Sequence, residues 1–195
     1  RDIDPVNNDG ITLIPQAMSI VADEVIDLHR QLVPYGYDEI NVNLGCPSGT
    51  VVSKKRGSGI LAYPDMLDSF LDELYTKADF PVSIKTRVGF NDDELWPKLI
   101  EIYSKYPISE LTVHPRVQKD FYKNTPRMDD FALAMQKINP DKTTLCYNGD
   151  ITDTNSFNAL TDCFPDIDEI MIGRGLFANP ALIAELKGIS MDKAE

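Results

Sequence analysis

The chain has 195 residues, 31 acidic and 19 basic side chains, a formal charge of -12, and 43% hydrophobic and 26% charged residues. That length supports one domain with a real core, and the composition excludes wholesale disorder. No apolar run approaches the roughly 18 residues of a membrane span, the start Arg1-Asp2-Ile3-Asp4-Pro5 is not a secretory leader, and the acidic balance argues against a nucleic-acid binder held by bulk charge.

In chain order, short β-branched runs alternate with helical spacing. Ile11–Gln16 reads as a strand and Ser19 to Leu32 as a helix, with Val21, Val25, Ile26 and Leu28 near one face. Glu39–Asn43 is the second strand. A long Gly-rich segment follows, then a helix opened by Pro64-Asp65, with Leu67, Phe70, Leu71 and Leu74 on one side. Pro81–Thr86 is the next strand, and Asn91 reads as the cap of a helix whose first turn holds Asp92, Asp93 and Glu94. Glu110–His114 is a strand; Thr125-Pro126 caps a helix whose Met128, Phe131 and Met135 face inward. Thr143–Tyr147 is a strand, Asp153 to Cys163 a helix, Glu169–Ile172 the last strand, and Asn179-Pro180 opens a helix that stops near Gly188.

Six strand–helix units without a linker predict an α/β fold, a parallel sheet covered by helices, either doubly wound or barrel-forming. Polar and glycine-containing residues end nearly every strand: Gln16, Asn43 to Cys46, Lys85 to Arg87, His114 to Arg116, Asn148 to Asp150 and Gly173 to Gly175. A barrel gathers such strand ends on one rim, so the expectation is a TIM-type (β/α) barrel, incomplete, with about six of its eight units.

Three cysteines, Cys46, Cys146 and Cys163, cannot pair off completely, and with two histidines, His29 and His114, no zinc site is expected. A reducing cytoplasm suits them. Cys146 and Cys163 lie in apolar patterns and read as buried small hydrophobes. Cys46 differs, since it opens a segment from Ser48 to Gly59 too long for a simple connector and suited to a lid. Lys85 and Arg87 point the same way at period two, and two cations in a pocket call for an anionic or polar ligand. The glycine turns Asn148-Gly149-Asp150 and Gly173-Arg174-Gly175 close the last two strands, where such barrels often bind phosphate.

Taken together, the segments Ile40 to Pro47, Gly57-Ser58-Gly59, Ser83 to Gly89, Leu111 to Arg116, Tyr147 to Ile151, and Met171 to Gly175 with Asn179-Pro180 resemble the tRNA-dihydrouridine synthase family. The resemblance implies an FMN-containing barrel that reduces the C5–C6 double bond of uridines in tRNA, with NADPH reloading the flavin. It makes Cys46 the general acid that protonates C5 while flavin N5 delivers hydride to C6. Asn43 would touch a flipped uracil, with Arg87 and His114 as further substrate contacts. Lys85 would sit by the electron-rich edge of the flavin, beside His114, and Gln16 would face the cofactor. Asn148, Gly149, Asp150, Gly173 and Arg174 would hold the FMN phosphate and its surroundings. Such roles are reasonable: a thiol is mostly protonated near neutral pH, a cation stabilises a reduced anionic ring, and a base must leave its stack to reach a flavin.

The family also implies two strand–helix units ahead of Ile11 and a helical tRNA-gripping domain after the barrel, so residues 1–195 are expected to be a single catalytic-barrel portion, trimmed at Arg1. Exposed strand edges would favour self-association; the sequence does not set an oligomeric state. Pro115 stands where many relatives have glycine. Ten of the 19 basic residues (Lys54, Lys55, Arg56, Lys85, Arg87, Arg116, Lys119, Lys123, Arg127, Arg174) fall in or just after strand ends, a basic rim on an acidic body suited to tRNA. The competing readings are an FMN barrel acting on a free pyrimidine of the dihydroorotate type, and a flavin-free, inactive or merely tRNA-binding module.

Overall fold

A computed structural model describes residues 3–189. Six strands form one sheet in the order β1-β2-β3-β4-β5-β6, and every pair is parallel. They are β1 (Gln16–Ala17), β2 (Ile40–Leu44), β3 (Val82–Gly89), β4 (Glu110–Val117), β5 (Thr144–Tyr147) and β6 (Glu169–Ile170). Between and after them lie α1 (Ala22–Leu32), α2 (Gly49–Val52), α3 (Pro64–Lys77), α4 (Trp96–Tyr103), α5 (Met128–Lys137), α6 (Thr154–Cys163), α7 (Arg174–Ala178) and α8 (Leu182–Leu186). A doubly wound sheet must reverse its strand order somewhere. This sheet never does, so the winding is that of a barrel. It is open: among the described residues β1 and β6 pair on one side only.

Each strand alternates two faces. Ile40, Val42 and Leu44 of β2, Val82, Ile84 and Val88 of β3, and Leu111 and Val113 of β4 are buried. They form one core with Val25 of α1, Leu67, Leu71 and Leu74 of α3, Trp96, Leu99 and Ile100 of α4, and Phe131 of α5. The opposite face carries polar side chains in register. Gln16 Nε2 donates to Asn41 Oδ1 at 2.7 Å and Asn41 Nδ2 to Ser83 Oγ at 3.1 Å. On that face the same alternation places Asn43, Lys85, Arg87, Thr112 and His114.

Several expected boundaries move, each for a stated reason. The first strand shrinks from Ile11–Gln16 to Gln16–Ala17, because Pro15 brings no N–H to an edge that only β2 supports; Ile11 and Ile14 stay exposed. Val21 is the N-cap of α1 and exposed, while Val25 and Ile26 are buried. Asn91 caps nothing. A helix begun at Asp92 would put Pro97 in its interior, against the carbonyl of Asp93. Instead the chain turns, Trp96 N donates to Asp93 O at 2.8 Å, and α4 starts at Trp96 with Pro97 in its first turn.

Thr125-Pro126 likewise precedes its helix: Arg127 N donates to Pro115 O at 2.7 Å, and α5 begins at Met128. Phe131 is buried, with Met128 and Met135 partly so. The last strand ends at Ile170, although Met171 N still donates to Tyr147 O at 2.8 Å. The helix expected after Asn179-Pro180 forms as α8, Leu182–Leu186, and a short helix that the sequence did not announce, α7, precedes it. The helix expected near Asp153 forms as read, with Asp153 Oδ1 accepting from Ser156 N at 2.7 Å. Cys146 is buried as expected, but Cys163, in the last turn of α6, is exposed.

Candidate active site

A cavity of ≈ 450 Å³ opens at the C-terminal ends of the strands. Asn43 and Cys46 reach it from β2, Lys85 and Arg87 from β3, His114 from β4, Asn148 to Asp150 from β5, and Gly173 and Arg174 from the turn after β6. The sequence-derived site residues therefore converge, with one exception. Gln16 does not line the cavity; its Oε1 accepts from Asn43 Nδ2 at 2.7 Å, so it acts on the site through Asn43.

Cys46 is held through its backbone. Asn43 Oδ1 accepts from the amides of Gly45 (3.0 Å) and Cys46 (2.9 Å). Ser58 donates to Cys46 O from its amide at 3.0 Å and its hydroxyl at 2.9 Å. Arg87 Nε donates to Gly45 O at 2.9 Å, and Gln118 Nε2 to Pro47 O at 3.0 Å. Gly57, at φ +54°, is required here, because a Cβ would stand 2.7 Å from Cys46 O. In the segment Ser48 to Gly59 expected as a lid, α2 fills Gly49–Val52 and only the end, Gly57, Ser58 and Gly59, is buried, leading into the fully buried Ile60 and Leu61. Burying Ile60 and Leu61 stabilises the packed state more than leaving them on a loop would.

The cations divide by task. Lys85 Nζ donates to Asn148 Oδ1 at 2.6 Å. Burial, reinforced by Arg87, brings its pKa down to about 8. Arg87, 2% exposed, spends its donors on backbone: Gly45 O, Val117 O at 3.0 Å and Phe121 O at 2.8 Å. This geometry gives Arg87 the work of tying β3 to the two segments that follow β2 and β4. Arg116, 1% exposed, straddles the Asp150 carboxylate, with Nη1 to Oδ1 at 3.1 Å and Nη2 to Oδ2, and Nη1 lies 3.0 Å from His114 Nε2. Arg174 also donates to Asp150. The Arg116 bond, with Coulombic help from both arginines, holds Asp150 below the usual carboxylate range. Burial, then Arg87, Lys85 and Arg116, drive His114 down to about 3, a neutral ring.

Two cavity residues escaped the reading of the sequence. Tyr122 lies between the arginines, its ring centroid 4.9 Å from Arg174 Cζ and 5.5 Å from Arg87 Cζ, and Phe177 on α7 lines the mouth. Neither sits in a motif; only the length of the segment between β4 and α5 signals Tyr122. The basic rim is also more neutral than its sequence. Arg56 pairs with Glu24, Arg127 with Asp93 and Asp120, and Arg116 and Arg174 with Asp150, while Arg87 is buried. At the other end of the sheet, Glu110, Cys146 and Glu169 place donor atoms within 4.8 Å of one another, a grouping across three strands that no spacing reveals. No described helix is long and apolar enough to cross a membrane.

The model of the dihydrouridine synthase (Dus) family matches residues 12–195. tRNA-dihydrouridine synthase B of Pasteurella multocida is 29% identical over 168 residues, covering 86% of this chain and 49% of that protein. A probable tRNA-dihydrouridine synthase of Staphylococcus aureus is 34% identical over 154 residues, 77% of this chain and 46% of its own length. tRNA-dihydrouridine synthase B of Escherichia coli K12 is 30% identical over 165 residues, 84% and 50% respectively. The chain spans about half the length of the curated relatives it matches. It belongs to the dihydrouridine synthase family.

Proposed function

We propose that the chain is a catalytic-barrel portion of a cytoplasmic, FMN-dependent enzyme that reduces uridine to 5,6-dihydrouridine in tRNA, with NADPH as reductant. The observation that carries this reading is the meeting of one thiol, one largely buried lysine, a neutral histidine and a glycine–arginine turn around one cavity of ≈ 450 Å³. That volume lies in the range of cofactor sites. The donor set fits a flavin mononucleotide: Lys85 offers a cation short of counter-charge, Gly173 leaves open space where a Cβ would stand, and Arg174, which gives only Nη2 to Asp150, keeps further N–H donors for a phosphate.

When bound, reduced FMN supplies the hydride that adds to C6 of the uracil, and NADPH renews it. The chain's own residues do the rest. Cys46 holds the proton that C5 takes up, and Asn43 and Ser58 keep its backbone from drifting. Lys85, its ammonium oriented by Asn148, would stabilise negative charge on the reduced flavin. Arg87 fixes the loops that carry Cys46 and Tyr122. Lys54, Lys55, Lys119 and Lys123, which form no ion pair among the described residues, are the cations left to meet tRNA phosphates.

The whole protein, with FMN and NADPH, should form dihydrouridine in tRNA. Cys46→Ala should cut turnover at least about 100-fold with FMN binding retained. Equal turnover in that variant removes Cys46 from the proton-donor role. Turnover on free uracil or dihydroorotate exceeding that on tRNA would favour the free-pyrimidine reading.

A further inference from the structure

His114 on β4 lines the cavity and is 6% exposed. Its Nε2 stands 3.0 Å from Arg116 Nη1. A guanidinium has five N–H donors, no acceptor, and keeps its proton in proteins. The contact is therefore a hydrogen bond only where Nε2 presents a lone pair. A neutral imidazole has a single N–H, so its proton is at Nδ1.

Arg116 cannot turn away from this task. Its Nε donates to Asn124 O, its two terminal nitrogens straddle Asp150, and Arg174 holds that carboxylate from the other side. The charged groups around the ring are Lys85 and Arg87 on β3, Arg116 on β4, and Asp150 beyond β5. Three cations against one carboxylate oppose a second ring proton. Nδ1 bonds to no described residue, and it is not among the buried atoms left without a partner. With the ring lining the cavity, that nitrogen is open to a ligand.

We infer that Arg116 is a positioning residue that fixes His114 as a neutral ring protonated at Nδ1, so that the cavity holds a permanent hydrogen-bond donor for a ligand carbonyl or other acceptor atom. His114 then binds and orients, and proton donation falls to Cys46. Only that division of labour rests on the proposed reduction; the tautomer stands without it.

Long-range 1H–15N spectra of the 15N-labelled protein test the inference from about pH 5 to pH 8, the window in which free histidines titrate. The two histidines are told apart by their neighbours: His114 lies 6.0 Å from the Tyr122 ring, and His29 stacks on Phe80 at 3.6 Å. The expected result is a pyrrole-type Nδ1 and a pyridine-type Nε2 at every pH, with a coupling across the hydrogen bond from Arg116 Nη1. A proton on Nε2, or a ring that titrates near about 6.5, the ordinary value, overturns the inference. Added FMN should move the Nδ1 proton resonance while the ring stays neutral. Binding seen in the flavin spectrum with that resonance unmoved sinks the donor role. If FMN does not bind, the proposed reduction fails, while the tautomer is still decided by the free protein's spectrum.

Discussion

Lys85 shows what a binding residue costs the free protein. Its ammonium is largely buried, with Asn148 Oδ1 as its hydrogen-bond partner and Arg87 as a like charge nearby. Because its folded pKa, about 8, lies below the unfolded value, the folded state binds fewer protons between there and about 10.4. The sign follows: the penalty is fully present below pH 8 and fades as the pH rises toward the unfolded value. Lys85→Met should therefore raise Tm at neutral pH, by about 2–4 °C or roughly 1 kcal/mol for a chain of this size. The same change should abolish FMN retention, read by flavin absorbance after gel filtration. A variant that loses stability would mean that the Asn148 bond outweighs the desolvation.

At the scale of elements, the segment from Cys46 to Ala62 couples the site to the core. Gly57→Ala would force an L residue to φ +54° and press its Cβ against Cys46 O, a cost of about 1–2 kcal/mol. It should also alter the rate at which iodoacetamide alkylates Cys46, followed by peptide mass spectrometry. Gln118→Ala removes only the bond to Pro47 O. It should cost under about 1 kcal/mol, yet lower turnover as well, since the cysteine loop loses its tie to the loop after β4. An unchanged alkylation rate in Gly57→Ala would show that the thiol is positioned independently of this turn.

Much of this element was legible. Ile40-Asn41-Val42-Asn43-Leu44 and Leu111-Thr112-Val113-His114 alternate strictly, unlike the continuous apolar runs usual in parallel sheets, and that alternation already separates a helix-covered face from a polar one. What resisted reading was non-local. Pro97 shifts the start of α4, Pro115 O claims the amide of Arg127, and Ser58 to Leu61 sink into the core although their glycines suggest a loop. Tyr122 reaches the cavity only because Arg87 pins Phe121 O, a contact 34 residues apart in sequence.

For the whole molecule two consequences follow. The edges of β1 and β6, unpaired among the described residues, should drive self-association, so the sedimentation mass should rise with concentration; a constant monomer mass would remove the edges as adhesive. The second concerns acid. His114 is neutral when folded, with a pKa near 3, so the unfolded chain binds the extra proton as pH falls below about 6.5. Stability is then intact above that value and declines toward acid, the slope reaching up to about 1.4 kcal/mol per pH unit. By pH 5 the loss approaches ~2 kcal/mol. A protein of net charge -12 feels an opposing trend, because protonated carboxylates relieve self-repulsion. That relief develops chiefly below about pH 4.5, where most acids titrate, and Asp150, with its folded pKa depressed, loses its own contribution there. Between about pH 6.5 and 4.5 the histidine loss is set against Asp130, whose carboxyl, pushed up to about 6 by burial and then by Asp93, takes up a proton in the folded state and adds stability toward acid. Urea denaturation should give a native chain that loses about 2 kcal/mol relative to His114→Gln across this window, whereas parallel curves would place the proton uptake elsewhere.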